Sequence, residues 1–338
     1  MPSRGTTAAI AAAAVVVVAG LAVPLVLVDS SPLYRGDPPP VTTAPPVSAQ
    51  QVKPPARGAL VGAWVAPDRP TEQQRVAVVG QYEQQLGRKL DIVHHFHAWD
   101  DFFPSELDVY VAERRDQTLM LSWAGTDTKE VAAGKHDGIL RLRARDMAAL
   151  RAPVLLRWRW EMNRPNLADT VHSPEDYIAA WKRVRAIFHE ERADNVDWVW
   201  CPLSTNFAGT DAAAYYPGDD EVDWMCVDAY SENPAQDWGA EVGPFLSWAA
   251  GHDKPILIGE FGTQPGADGQ RSRWLAGVAA LVRRHRQIKG IVYFDENVDR
   301  AGRKRDWSLR SSATDVRAFA ALLADPYFNP RRLPVRGS

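Results

Sequence analysis

From about Gly58 onward, two kinds of pattern alternate along the chain. Short, almost continuous apolar runs read as strands buried on both faces, and longer stretches with apolar residues every three or four positions read as amphipathic helices. The runs predict strands over Ala59–Val65, Asp91–Phe96, Thr118–Trp123, Val154–Trp160, Val196–Trp200, Val222–Asp228, Pro255–Gly259 and Ile288–Phe294. Thr71-Glu72-Gln73-Gln74 is a capping box opening a helix to about Leu86. Ser173-Pro174-Glu175-Asp176 opens another to about Glu191, with Pro at the first helical position. Further helical patterns cover Arg141–Leu150, Trp238–Ala250, Arg271–Arg286 and Thr314–Leu323. Strict alternation of β and α implies a parallel sheet, and eight such units match a (β/α)8 TIM barrel; a doubly wound open sheet is the alternative.

The pattern before Gly58 is different. Ala8 to Val28 is an unbroken uncharged run, long enough as a helix to cross a hydrocarbon core about 30 Å thick. It reads as an N-terminal membrane anchor at 1–28, with a cleaved signal peptide as the alternative; Gly20-Leu21-Ala22 would serve as the small-residue site. Either reading exports the remainder, to the outer face of the membrane or as a secreted protein. Residues 29–57 are rich in proline among Thr, Val and Ser and cannot bury a core, so they read as a disordered linker or stalk. The barrel domain is assigned to 58–330 and a C-terminal tail to 331–338.

Composition narrows the function classes. A net charge of −3 over 338 residues gives no reason to expect a nucleic-acid partner. Thirteen tryptophans suit stacking on sugar faces, although strand and helix packing explains most of them, including Trp158, Trp160, Trp181, Trp198, Trp200 and Trp248. Two cysteines are not a disulfide framework; Cys201 and Cys226 are expected as buried thiols, with a bridge between consecutive strands left open. The histidines at 94, 95 and 97, followed by Asp100 and Asp101, lack companions with ligand spacing, and Asp219-Asp220-Glu221 reads as a solvated loop. No metal site is assigned.

The chemistry points to strand ends. In a barrel of this kind the C-terminal ends of the strands line the active site. The fourth strand ends at Glu161 and the seventh at Glu260, which stands between Gly259 and Gly262. Paired carboxyls across a mouth suit glycoside hydrolysis: one protonates the leaving oxygen, the other attacks the anomeric carbon. Strand alternation places Arg157 and Arg159 on the face of Glu161, and Arg157 is expected to serve the other carboxylate or the layer below. Asp228 precedes Tyr230 on the same face, as an inner-barrel hydrogen-bonder.

These residues resemble glycoside hydrolase family 26, across most of residues 60–310. The likeness rests on Arg157–Asn163, YIAAW at 177–181, NVDWVW at 195–200, YYPGDDEVDWMCVDAY at 215–230, KPILIGEFGT at 254–263, and YFDEN followed by Trp307. The resemblance implies a retaining endo-acting β-glycanase on β-mannan or β-glucan, with Glu161 as acid/base and Glu260 as nucleophile. It also implies Tyr230 as the residue orienting Glu260, Trp307 as the floor beneath the sugar, and no metal or organic cofactor. His95 or His97 would contact the same sugar and Trp123 would be a platform; Arg157 and Asn163 complete the substrate-binding set. The expected partner is a polysaccharide or oligosaccharide, acted on by a monomer tethered through residues 8–28. The chain departs from the family at Trp160, where His is usual, and at Arg164-Pro165-Asn166, where Gly and an aromatic are usual. These changes leave the carboxyl pair in place. They open the glycan preference and an alternative function: a non-hydrolytic glycan-binding or polysaccharide-assembly protein on the same barrel.

Overall fold

The computed structural model describes residues 51–207, 212–300 and 303–336. The expected anchor at 1–28 and most of the linker therefore lie outside the described residues. Among those described, no helix is long and apolar enough to cross a membrane.

Eight parallel strands close into a barrel in chain order. They are β1 (Leu60–Val65), β2 (Ile92–His97), β3 (Thr118–Trp123), β4 (Val154–Trp158), β5 (Val196–Trp200), β6 (Trp224–Ser231), β7 (Ile256–Thr263) and β8 (Ile288–Asp295). Around them lie α1 (Glu72–Leu86), α2 (Glu106–Ala112), α3 (Thr128–Ala132), α4 (Asp137–Leu150), α5 (Ala168–Val171), α6 (Pro174–Glu190), α7 (Trp238–Ala249), α8 (Gln270–Arg284) and α9 (Ala313–Ala324). After β8, a hairpin of β9 (Asn297–Arg300) and β10 (Arg303–Asp306) precedes Trp307. The capping signals act as the sequence implies: Thr71 accepts from Gln74 N–H and Ser173 from Asp176 N–H.

Alternation along the strands divides two apolar layers. Every second residue faces the barrel interior, where Leu60, Ile92, Met120, Leu155, Val199, Trp224, Leu257 and Val292 pack together. The others face the helices and form the larger layer, which takes most of the tryptophans, including Trp158, Trp181, Trp198 and Trp200. The end of the expected linker belongs to the fold: Val52 is buried in the interior layer and its N–H donates to Asp197 Oδ2 at 2.6 Å. The tail is docked too. Arg331 donates to the carbonyls of Asp91 and Asp116, and Arg336 N–H to Gly87 O at 2.7 Å.

Further features depart from the sequence reading. β4 ends at Trp158, not Trp160, and Arg159 and Glu161 both have positive φ, at 51° and 52°. Alternation therefore stops there, and Arg159 swings away from the interior to Gly125 O and Thr170 Oγ1. β7 continues to Thr263, past the expected Gly259. Cys201 and Cys226 are joined in a disulfide rather than held as thiols. The reason is register: Val199 lies beside Trp224 and Trp200 beside Met225, which brings Cys201 level with Cys226, both facing inward.

Candidate active site

The polar centre rests on the apolar interior layer and begins at Arg157. Register sets its neighbours: His94 lies beside Met120, Phe96 beside Ser122, and Ser122 beside Arg157. In-register partners share a face, so His94, Phe96, Ser122 and Arg157 all point inward. Arg157 is fully buried. Its Nε donates to Ser122 Oγ at 2.7 Å, and Nη1 reaches both oxygens of Asp228 at 2.7 and 2.8 Å. Its Nη2 donates to Glu260 Oε1 and lies 3.2 Å from His94 Nε2. A buried guanidinium is tolerated because each edge meets an acceptor. Burial, and then the Arg157 charge, hold His94 well below the usual imidazole range. His94 is therefore a neutral acceptor, 2.7 Å from Ser122 Oγ.

Glu260 owes its aim to a bulge. Along β6 and β7, Val227 pairs with Ile258 but the next residue, Asp228, pairs with Glu260. Gly259 is the extra residue, so Glu260 points inward where strict alternation would turn it out. Gly259 has no positive φ. It is needed for room: a Cβ there would lie 2.4 Å from Cys226 Sγ, 2.7 Å from Asp228 Oδ1 and 2.8 Å from Arg157 Nη1. The second oxygen of Glu260 accepts from Tyr230 OH. Burial and the Glu260 charge raise the Tyr230 hydroxyl well above its ordinary range, so it stays protonated and donating.

Glu161 stands on the loop leaving β4. Its N–H donates to Cys201 O at 2.7 Å, and Asn163 brackets Leu203 with two bonds of 2.9 Å. Both contacts bind the loop to the exit of β5. The Glu161 carboxyl is nearly buried, and Arg164 Nη1 meets its Oε2 at 2.5 Å. Burial first, and Glu260 second, push the Glu161 carboxyl up against the opposing pull of Arg164.

A cleft of about 960 Å³ opens over this centre. Of the residues expected in the site, Glu161, Glu260, Tyr230, Trp307 and His97 line it. Trp307 is packed 4.9 Å from the Tyr230 ring. Arg157 and Asn163 are not among the residues that line the cleft. His95 and Trp123 face away from the barrel interior, being out of phase with His94 and Ser122. His95 is buried against Asp108 at 2.8 Å. Trp123 is stacked on Trp99 at 4.7 Å and is fully buried, so it is packing rather than a platform. Alternation in β2 and β3 carried this information.

The cleft also contains aromatics the sequence reading did not assign: Trp64, Phe96, Trp160 and Phe294. Trp160 fills the place of the usual histidine, 5.4 Å from Phe96 and 5.4 Å from the Arg157 guanidinium. Asp108, also unassigned, stands at the third position of the capping box opened by Ser105, and it bonds both His95 and His97 at 2.8 Å. The Ser105-x-x-Asp108 spacing was its signal. Among the described residues, two groups bring three donor atoms within 4.8 Å of one another: His95 with His97 and Asp108, and Cys201 with Cys226 and Asp228. The sulfurs of the second are committed to the disulfide, and both imidazoles of the first hydrogen-bond the carboxylate.

The family model described as glycosyl hydrolase family 26 matches residues 86–244. Endoglucanase H of Acetivibrio thermocellus is 29% identical over 294 residues, covering 81% of this chain and 31% of that protein. A beta-1,3-xylanase of Alcaligenes sp. is 26% identical over 142 residues, covering 40% of this chain and 28% of that protein. The chain thus spans less than a third of the length of the curated relatives it matches. Among solved structures, a GH26 beta-mannanase from Bacteroides ovatus is similar at a TM-score of 0.58 and 18% identity, covering 80% of this chain and 90% of that one. A modular endo-beta-1,4-mannanase from Cellulomonas fimi is similar at 0.59 and 17%, covering 80% and 71%. At these identities the structural likeness concerns the fold. The matched segment, the sequence relatives and the barrel agree, and the chain is similar to glycoside hydrolase family 26 over the matched residues 86–244.

Proposed function

We propose that this protein is a retaining endo-β-glycoside hydrolase acting on a β-mannan or β-glucan type polysaccharide outside the cytoplasm. The observation that carries the reading is the contrast between two carboxyls in one cleft. Glu260 accepts from the Arg157 guanidinium on one oxygen and from the Tyr230 hydroxyl on the other, which fixes its aim into the cleft as a nucleophile requires. Glu161 is pushed up by burial and by Glu260, which favours a carboxylic acid.

Glu260 attacks the anomeric carbon while Glu161 gives its proton to the departing glycosidic oxygen. The resulting glycosyl ester is opened by water, whose proton returns to Glu161, and the C–O bond to Glu260 breaks. Arg157 and Tyr230 keep Glu260 aligned, and Trp307 floors the cleft. Trp64, Phe96, Trp160 and Phe294 supply the apolar surface on which a sugar face stacks. The relatives' names differ over the glycan: an endoglucanase, a β-1,3-xylanase and β-mannanases. Export and a tether through residues 8–28 rest on the uncharged run and the proline-rich stretch after it.

The test is to incubate the full chain with mannan, mixed-linkage glucan, cellulose and xylan and to record new reducing ends. Release by the wild type, abolished in Glu260→Ala and Glu161→Ala, is the expected result. Saturable binding without release would favour the non-hydrolytic alternative.

A further inference from the structure

We propose that Arg164 is a positioning residue that governs how readily Glu161 surrenders its proton, acting as a cation on the leaving-group side of the cleft. The inference rests on the hydrolase reading for its catalytic meaning, though its physical content does not depend on turnover.

The geometry begins with a tight turn. Arg164 N–H donates to Glu161 O at 3.0 Å, and between these residues Met162 is buried and Asn163 is locked to Leu203. The turn is therefore held from both sides and folds Arg164 back over the carboxyl three residues earlier. Arg164 lines the cleft together with Leu203 and Thr205. A proton donor must touch the leaving oxygen, so a side chain bonded to that donor and lining the same cleft stands where the leaving sugar arrives.

Other ionisable groups face Glu161, but they are committed to each other. Arg157 from β4 is tied to Asp228 of β6 and Glu260 of β7, and Tyr230 of β6 is tied to Glu260. Arg164 is different. Among the described residues its side chain makes its hydrogen bond to Glu161 alone, and about a third of that side chain is exposed against 7% of Glu161's. It is thus the cation near the acid that a substituent on the leaving sugar can reach and displace. While paired, it occupies Oε2 and leaves Oε1, which has no hydrogen-bond partner among the described residues, to carry the proton toward the glycosidic bond. The positive charge favours the carboxylate, opposing burial and Glu260, which favour the acid. Removing it makes Glu161 a weaker acid that holds its proton to higher pH.

The experiment compares full-length wild type, Arg164→Gln and Arg164→Lys by two readouts. The first is the pH profile of kcat/KM on the glycan that the wild type cleaves. The alkaline limb moves up by about one pH unit in Arg164→Gln and stays near the wild-type position in Arg164→Lys, which keeps the charge. A purely structural role would lower activity without moving the limb. The second readout needs no turnover. Protein carrying 13C-labelled glutamate is titrated by NMR, with the Glu161 signal assigned by its loss in Glu161→Gln. Glu161 titrates higher in Arg164→Gln than in wild type. Superimposable titrations would overturn the inference whether or not glycan is cut. Absence of reducing ends from the wild type would overturn the hydrolase reading alone and leave the titration to decide the part played by Arg164.

Discussion

Gly259→Ala is a direct test of how the centre is built, because the backbone at Gly259 imposes no conformational penalty on alanine. The cost is purely steric. The added methyl would lie 2.4 Å from Cys226 Sγ, 2.7 Å from Asp228 Oδ1 and 2.8 Å from Arg157 Nη1. Ordinary contacts between such atoms are about 3.5–4.0 Å, so each neighbour would have to give by about 1 Å. None is the free end of a flexible side chain: Cys226 is bridged to Cys201, and Asp228 and Arg157 are bonded to one another. Overpacking at a site of this kind costs about 1–3 kcal/mol. At about 2–4 °C per kcal/mol, the melting midpoint falls by several degrees. The kinetic effect should be larger. Arg157 donates to Glu260, and a shift of about 1 Å in a reacting group costs about 100-fold. That corresponds to about 2.7 kcal/mol of barrier. Gly277→Ala is the matched control: it lies within α8, with nothing within 4 Å of the new methyl. There alanine should stabilise by about 0.5–1 kcal/mol and leave kcat unchanged. Wild-type kcat and melting midpoint in Gly259→Ala would refute the argument that the bulge, and the absence of a side chain there, aim Glu260.

Two further outcomes follow from the same geometry. Tyr230→Phe removes the donor to Glu260 Oε2 and should lower kcat by about 10- to 100-fold, the worth of a hydrogen bond to a charged group, with little change in KM; an unchanged kcat would count against Tyr230 as an aligning group. Asp197 is pushed up to about 7, first by burial and then by Asp223, so the folded protein keeps a proton there that the unfolded chain releases from about pH 4. Its contribution to stability is therefore fully present at low pH and is lost as pH rises toward 7. Asp197→Asn has no such loss, and the melting midpoint of the variant should gain on the wild type between pH 4 and 8; a difference that stays flat across that range would show that Asp197 does not titrate in this way.

Much of the architecture was legible because barrel strands must be apolar on both faces and helices must begin with satisfied N–H groups. The eight strands and the openings of α1 and α6 could be read from those needs. Two more facts were present locally. In β2, alternation sets Ile92, His94 and Phe96 on the inside and His95 on the outside, next to Asp108. The capping pattern at Ser105 announced α2 and with it Asp108. Other features had no local signal. The end of β4 is decided by the closure of Arg159 N–H on Trp123 O and of Glu161 N–H on Cys201 O.

The sequence by itself determined where the strands and helices fall, the faces of the regular elements and the placing of Glu161 and Glu260 near the C-terminal ends of strands, because period and capping are properties of neighbouring residues. Only the tertiary structure decided which groups meet. Arg157 finds Asp228 and Glu260 at separations of 71 and 103 residues. Barrel closure and register bring them together, as they do Cys201 and Cys226. The bulge at Gly259 turns Glu260 inward, and Val52 fills the barrel interior from a stretch whose proline content reads as disorder. In each case the deciding contact is with a residue distant in the chain, which no local pattern encodes.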